Sequence, residues 1–149
     1  MNKALSSLVI GCAIAASIFV GIAKAQEDEV PLFSIKSGET LPLRIVSFVT
    51  ATCDLLYLDF EGIDVMEGPQ ELSLKFEPGM VHTYTRTRDC PKPVNGGTVM
   101  ATAKDVTERK EGLLTFRVRI KTKQGPVART WRYRVLLYPT GEPTAASKQ

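Results

Sequence analysis

The chain has 149 residues, with 19 Lys and Arg against 16 Asp and Glu, 44% hydrophobic residues and only three cysteines. That is enough chain for one core and too apolar for a wholly disordered protein, while the few cysteines exclude a disulfide-dense miniature scaffold. After residue 25 no stretch is apolar enough to cross a bilayer as a helix, which takes about 20 such residues.

Residues 1–25 read as a secretory signal. Lys3 gives the positive start, Leu8 to Ala23 is almost wholly apolar, and Ala23-Lys24-Ala25 has the small-x-small form that signal peptidase cleaves. Val9-Ile10-Gly11-Cys12 also loosely matches a lipobox, which would lipidate Cys12, but the apolar run continues well past that cysteine. Soluble export, to a periplasm or the exterior, is therefore the expectation. Removing Lys3 and Lys24 leaves 17 basic residues against 16 acidic ones, and these are unevenly spread. Residues 26–90 hold 12 acidic and 5 basic side chains, whereas residues 91–149 hold 4 and 12.

An acidic leader, residues 26–31, opens with Glu27, Asp28 and Glu29 and shows no apolar period. Pairing is expected to begin at Leu32 to Ile35. Leu41 to Val49 follows as a strand, with Leu41, Leu43, Ile45 and Val49 on one face and Arg44, Val46 and Phe48 on the other. Phe60 to Glu67 is a further strand, stopped by Gly68-Pro69. Leu72 to Phe76 is another, stopped by Pro78-Gly79, and Met80 to Thr85 a third, with His82 in phase with Met80 and Tyr84. Arg86 to Gly97 is a loop, Thr98 to Lys104 a strand, and Asp105 to Gly112 a polar connection with room for a helical turn. Residues 113–138 are two long strands around Gln124-Gly125-Pro126. In these, Leu114, Phe116, Val118 and Ile120 alternate with Thr115, Arg117, Arg119 and Lys121, and Trp131, Tyr133, Val135 and Leu137 with Thr130, Arg132, Arg134 and Leu136, at a period of two. Pro139 ends pairing, and residues 140–149 have the small, polar composition of a disordered tail.

Seven or eight short strands, turn signals every 8–12 residues or so and no long amphipathic helix predict an all-β fold, an antiparallel sandwich or small barrel occupying residues 32–139. Cys53 and Cys90 are the two cysteines left in an oxidising compartment, so a bridge between them is expected. It would close a loop of 37 positions.

The order of features resembles that of bacterial immunoglobulin-like and cadherin-like sandwich modules of exported proteins. A cysteine follows the first long strand, a strand runs into Glu67-Gly68-Pro69 and a hairpin, and a second cysteine precedes Gly97-Thr98-Val99. Two long strands then end in Tyr133-Arg134-Val135-Leu136-Leu137. The likeness spans roughly residues 41–138. Trp131 lies after both cysteines, so the antibody core arrangement does not carry over. The resemblance implies an immunoglobulin-like antiparallel sandwich used for binding or assembly, commonly without catalysis, and it assigns no site residue.

The side chains give little chemistry to set against that. A lone His82 cannot build a histidine metal site, and as a base it would need a positioned nucleophile, so a structural or solvated histidine is the simpler reading. Asp59, Glu61, Asp64 and Glu67 are near one another in sequence, but a regular strand places Glu61 and Glu67 on one face and Asp64 on the other. That argues for a solvated acidic surface over a calcium site or a glycosidase acid pair. No catalytic residue, metal or cofactor is assigned.

Cations form the more informative pattern. Arg117, Arg119 and Lys121 on one strand and Arg132 and Arg134 on the next share one sheet surface if the hairpin pairs around Gly125. Directly opposed like charges repel, so either the acidic half covers this face or an anionic ligand does. Nucleic acid is disfavoured because Phe116, Trp131 and Tyr133 lie in the apolar phase and leave no exposed stacking platform. The leading expectation is a non-catalytic interaction module whose partner is an envelope protein. A polyanion-binding protein using the basic face, with polysaccharide or lipopolysaccharide as ligand, is the alternative.

Overall fold

Alternation at a period of two, sustained over two long segments, is realised as β6 (Lys110–Thr122) and β7 (Gly125–Tyr138). They pair antiparallel without a register break from Lys110↔Leu137 to Thr122↔Gly125. The structure, a computed structural model, describes residues 30–85 and 88–141. The expected signal, most of the acidic leader and most of the tail lie outside that range.

The remaining strands are β1 (Leu32–Lys36), β2 (Thr40–Val46), β3 (Tyr57–Glu67), β4 (Leu72–Val81) and β5 (Val94–Ala103). No helix occurs among the described residues. Two sheets result, in the orders β1-β7-β6-β3 and β2-β5-β4, and every pairing is antiparallel except that of β1 with β7. The fold is all-β, and the two sheets pack as a sandwich.

Inward residues of both layers make one core. Leu114, Phe116, Val118 and Ile120 of β6 and Tyr133, Val135 and Leu137 of β7 are buried, and β5 faces them with the smaller Val99, Ala101 and Ala103. Large against small lets the layers close to native density. At one side of the sandwich Phe60 of β3 stacks on Phe76 of β4, ring centroids 4.1 Å apart.

Several boundaries differ from the sequence reading, each for a local reason. β4 runs straight through Pro78-Gly79 to Val81, because β4 is an edge strand and a proline nitrogen that faces away from the ladder costs no bond. Beyond Val81 only an isolated Tyr84↔Asp89 bridge remains of the strand expected at Met80 to Thr85. β5 starts at Val94, within the expected loop, since Gly96 and Gly97 permit close approach. A Cβ at Gly96 would lie 2.3 Å from the Val46 carbonyl oxygen, and one at Gly97 would lie 2.4 Å from that of Glu77. β2 ends at Val46, short of the expected Val49, which makes only an isolated bridge with Leu55. Lys123-Gln124, and not Gln124-Gly125-Pro126, is the hairpin turn, and the Thr122 hydroxyl donates to the Gly125 carbonyl at 2.7 Å.

Cys53 and Cys90 are bonded, with Cα atoms 5.7 Å apart. The bridge ties the β2–β3 loop to the β4–β5 loop. Cys53 has a positive φ of 68°, in a loop closed by Thr50 and Asp54, whose backbone groups bond at 2.9 Å.

Two stability experiments follow from this packing. Gly96→Ala forces a methyl group against main chain that cannot rotate away, so urea unfolding at unchanged slope should show a loss of about 2 kcal/mol or more. Replacing Cys53 and Cys90 together by serine reopens the 37-position loop and should cost about 3–4 kcal/mol in the same measurement. A midpoint unchanged in either variant contradicts the corresponding contact.

Candidate functional site

Two places bring unusual side chains together, the outer face of the larger sheet and a groove between the layers. On the outer face the β6–β7 register staggers the cations. Arg117 lies opposite Thr130, Arg119 opposite Ala128, Lys121 opposite Pro126, Arg132 opposite Thr115 and Arg134 opposite Leu113. No two are cross-strand partners, so the repulsion expected from directly opposed charges does not arise.

Strand β3 lies on the other side of β6, and its register shifts three times, between Tyr57 and Asp59, Phe60 and Gly62, and Val65 and Glu67. A bulge inserts a residue and resets which face the following side chains take. As a result Asp59, Asp64 and Glu67 stand opposite Lys121, Arg117 and Thr115 respectively, and Glu61 is the exposed extra residue of the middle bulge. The expected separation of Asp64 from Glu67 onto opposite faces is thereby corrected: both are on the cationic face.

Asp64 sits between two guanidinium groups, its Oδ2 accepting from Arg117 Nη2 at 3.3 Å and its Oδ1 from Arg119 Nη2 at 3.4 Å. Gly62 makes room for this, since a Cβ there would meet Arg119 Nη2 at 2.7 Å. Arg134 pairs with Glu111 at 2.7 Å. Arg132 donates to the Thr115 hydroxyl, which in turn donates to Glu67, both at 3.4 Å. Among the described residues no ion pair joins Lys121 or Arg132. The face is a lattice of alternating sign with its positive excess toward Lys121 and Arg132.

The groove arises from a different bulge. β2 shifts register between Pro42 and Arg44, which places Arg44 opposite the buried Val99 and turns Ile45 outward, where it is half exposed. Regular alternation places Ile45 with the apolar Leu41 and Leu43, and the bulge overrides it. Arg44 then reaches across to the other layer and lies over the Trp131 ring, 5.3 Å from its centroid. Arg129 of β7, in the same inward phase as Trp131, lies over Phe48 at 5.4 Å. Such cation–π contacts hold guanidinium groups in place without neutralising them.

Between β2 and β7 these side chains bound a groove of about 550 Å³, floored by Val118 and Ile120 and rimmed by His82 and Tyr84. Among the described residues no carboxylate lines it. Its rim belongs to the loop that the disulfide anchors at Cys90. Arg44 and Arg129 were missed as site residues by the sequence reading. Arg129 carried a signal, a cation interrupting the apolar phase of Val127, Trp131 and Tyr133, whereas Arg44 depends on a bulge that no spacing announces.

Chemically, the groove suits acidic groups attached to an apolar or extended body. Among the described residues, no three His, Cys, Asp or Glu side chains converge as they would around a metal ion. A scan against protein-family models and searches of the curated proteins and of the solved structures found no match to this chain.

Asp64→Asn tests the alternating lattice. It should lower stability by about 1 kcal/mol at low salt, the upper end for partly exposed pairs, because one carboxylate serves two cations. In 1 M salt most of that difference should vanish. A loss that does not respond to salt would contradict an electrostatic origin.

Proposed function

We propose that this chain is an exported, non-catalytic immunoglobulin-like module that acts by binding another macromolecule of the cell envelope. The strand order carries the reading. β2-β5-β4 corresponds to the B-E-D sheet and β3-β6-β7 to the C-F-G sheet of immunoglobulin sandwiches, and β1 joins the second of these as a short first strand beside β7. The N-terminal signal features and the Cys53–Cys90 bridge favour an oxidising, extracytoplasmic location.

Binding is favoured as the activity because the unusual side chains form surfaces. The groove concentrates over aromatic rings two guanidinium groups that form no ion pair among the described residues, and aromatic residues with arginine are the side chains that dominate interface energetics. Polyanion docking on the outer face is the weaker alternative, since Asp64 and Glu111 already occupy Arg117, Arg119 and Arg134. Lys121 and Arg132 are what support it.

Chemical cross-linking in intact cells followed by affinity capture of the tagged chain tests the module reading. Reproducible recovery of one envelope protein is the expected outcome. Recovery of glycan alone, lost when Lys121 and Arg132 are neutralised, would favour the alternative, and recovery of nothing would count against both.

A further inference from the structure

The four edges of the two sheets are not equally protected. β3 carries three register shifts and a row of acids, β4 carries Pro78 and Lys75, and β2 carries Pro42 and a bulge. All are devices that discourage strand pairing. β1 closes the fourth edge, but it is only five residues long and pairs with β7 from Arg134 to Tyr138 alone. Upstream of Arg134, no strand among the described residues pairs with β7 on that side.

Which backbone groups this exposes follows from the register. Thr122 and Gly125 flank a two-residue turn, and Arg134 donates its amide to the Pro31 carbonyl at 2.9 Å. In an antiparallel pair consecutive residues point their N–H and C=O alternately to the two sides. Odd-numbered residues of β7 therefore bond β6, and the N–H and C=O of Ala128, Thr130 and Arg132 point to the open side. All three residues are exposed. The segment has an unbroken register, spans about 16 Å at the usual rise, and forms one wall of the groove that holds Arg44 and Arg129.

We infer that the open edge of β7, from Ala128 to Arg132, takes an extended acidic segment of a partner polypeptide as an added strand. Its backbone pairs with Ala128, Thr130 and Arg132, and its carboxylates meet Arg44 and Arg129 in the groove. Main-chain pairing supplies affinity and the alternate side chains supply specificity in this mode of recognition. A second copy of the same edge is disfavoured, because the segment from Ala128 to Arg132 carries no carboxylate to offer Arg44 and Arg129. This rests on the module reading and names its surface and partner chemistry.

A blocked octapeptide of alternating glutamate and valine is a suitable probe, with the fluorescence of the sole tryptophan, Trp131, as the readout. Saturable binding is expected, weakened at least tenfold by the glutamine analogue, by Arg44→Gln with Arg129→Gln, and by 0.5 M salt. Thr130→Pro removes one outward donor without touching a β6 bond, and should abolish binding while leaving urea unfolding cooperative. N-methylation of alternate peptide amides gives the same loss with the protein unaltered, which covers the case of a variant that folds poorly. Absence of binding, or binding indifferent to both N-methylation and Thr130→Pro, would overturn the inference. A dimer of the protein alone that Thr130→Pro dissolves would assign the edge to a second copy and overturn it too. A cross-linked envelope partner retained by Thr130→Pro would leave the module reading standing while removing this one.

Discussion

The unbroken β6–β7 ladder is the constraint on which the other features depend. It holds the longest strands in one register, and so fixes one row of inward aromatic and aliphatic side chains and one row of outward cations. A one-residue slip would exchange the two rows and bury five charges, which is why alternation this regular specifies register strongly. Phe116 shows the coupling. It is fully buried and packs near both Trp131 and Tyr133 of the facing strand, ring centroids 5.7 and 6.2 Å away. The same ladder that builds the core thus positions the groove's tryptophan.

Irregularity is confined to the neighbours. β3 adapts to β6 by bulging three times, and β2 adapts to β5 by bulging once. Each bulge changes which face later side chains take, with a chemical consequence. On β3 it recruits Asp64 to the cationic face, where it bridges Arg117 and Arg119. On β2 it turns an arginine inward and an isoleucine outward. The cationic face and the groove therefore both sit next to bulges, where a regular sheet would give only an apolar inside and a polar outside.

That division also explains what could be read from the residues alone. The hairpin, the sandwich, the cysteine pair and the shared surface of Arg117, Arg119, Arg132 and Arg134 all follow from period-two alternation and compartment logic. The phase of Glu61, Asp64 and Glu67, and that of Arg44 and Ile45, does not, because a bulge replaces one step of the period without a composition mark of its own. Gly62 hints at the middle bulge of β3 only once the Arg119 side chain is seen against it. Pro78 and Gly96-Gly97 misled in the other direction. They read as breakers, yet Pro78 lies on an edge strand and the two glycines sit where neighbouring main chain leaves no space for a Cβ.

The half-covered edge of β7 joins these threads. β1 stops the sheet from being open along its whole length, and the inward Arg129 and Arg44 mark the half that no described strand covers as different from a neutral, aggregation-prone edge. The most direct measurement is residue-resolved amide hydrogen exchange along β7 in the isolated protein. Strong protection at Val127, Arg129 and Trp131, with rapid exchange at Ala128, Thr130 and Arg132, is the alternation this account predicts. Uniform protection from Val127 to Arg132 would mean that the edge is covered, and would contradict it.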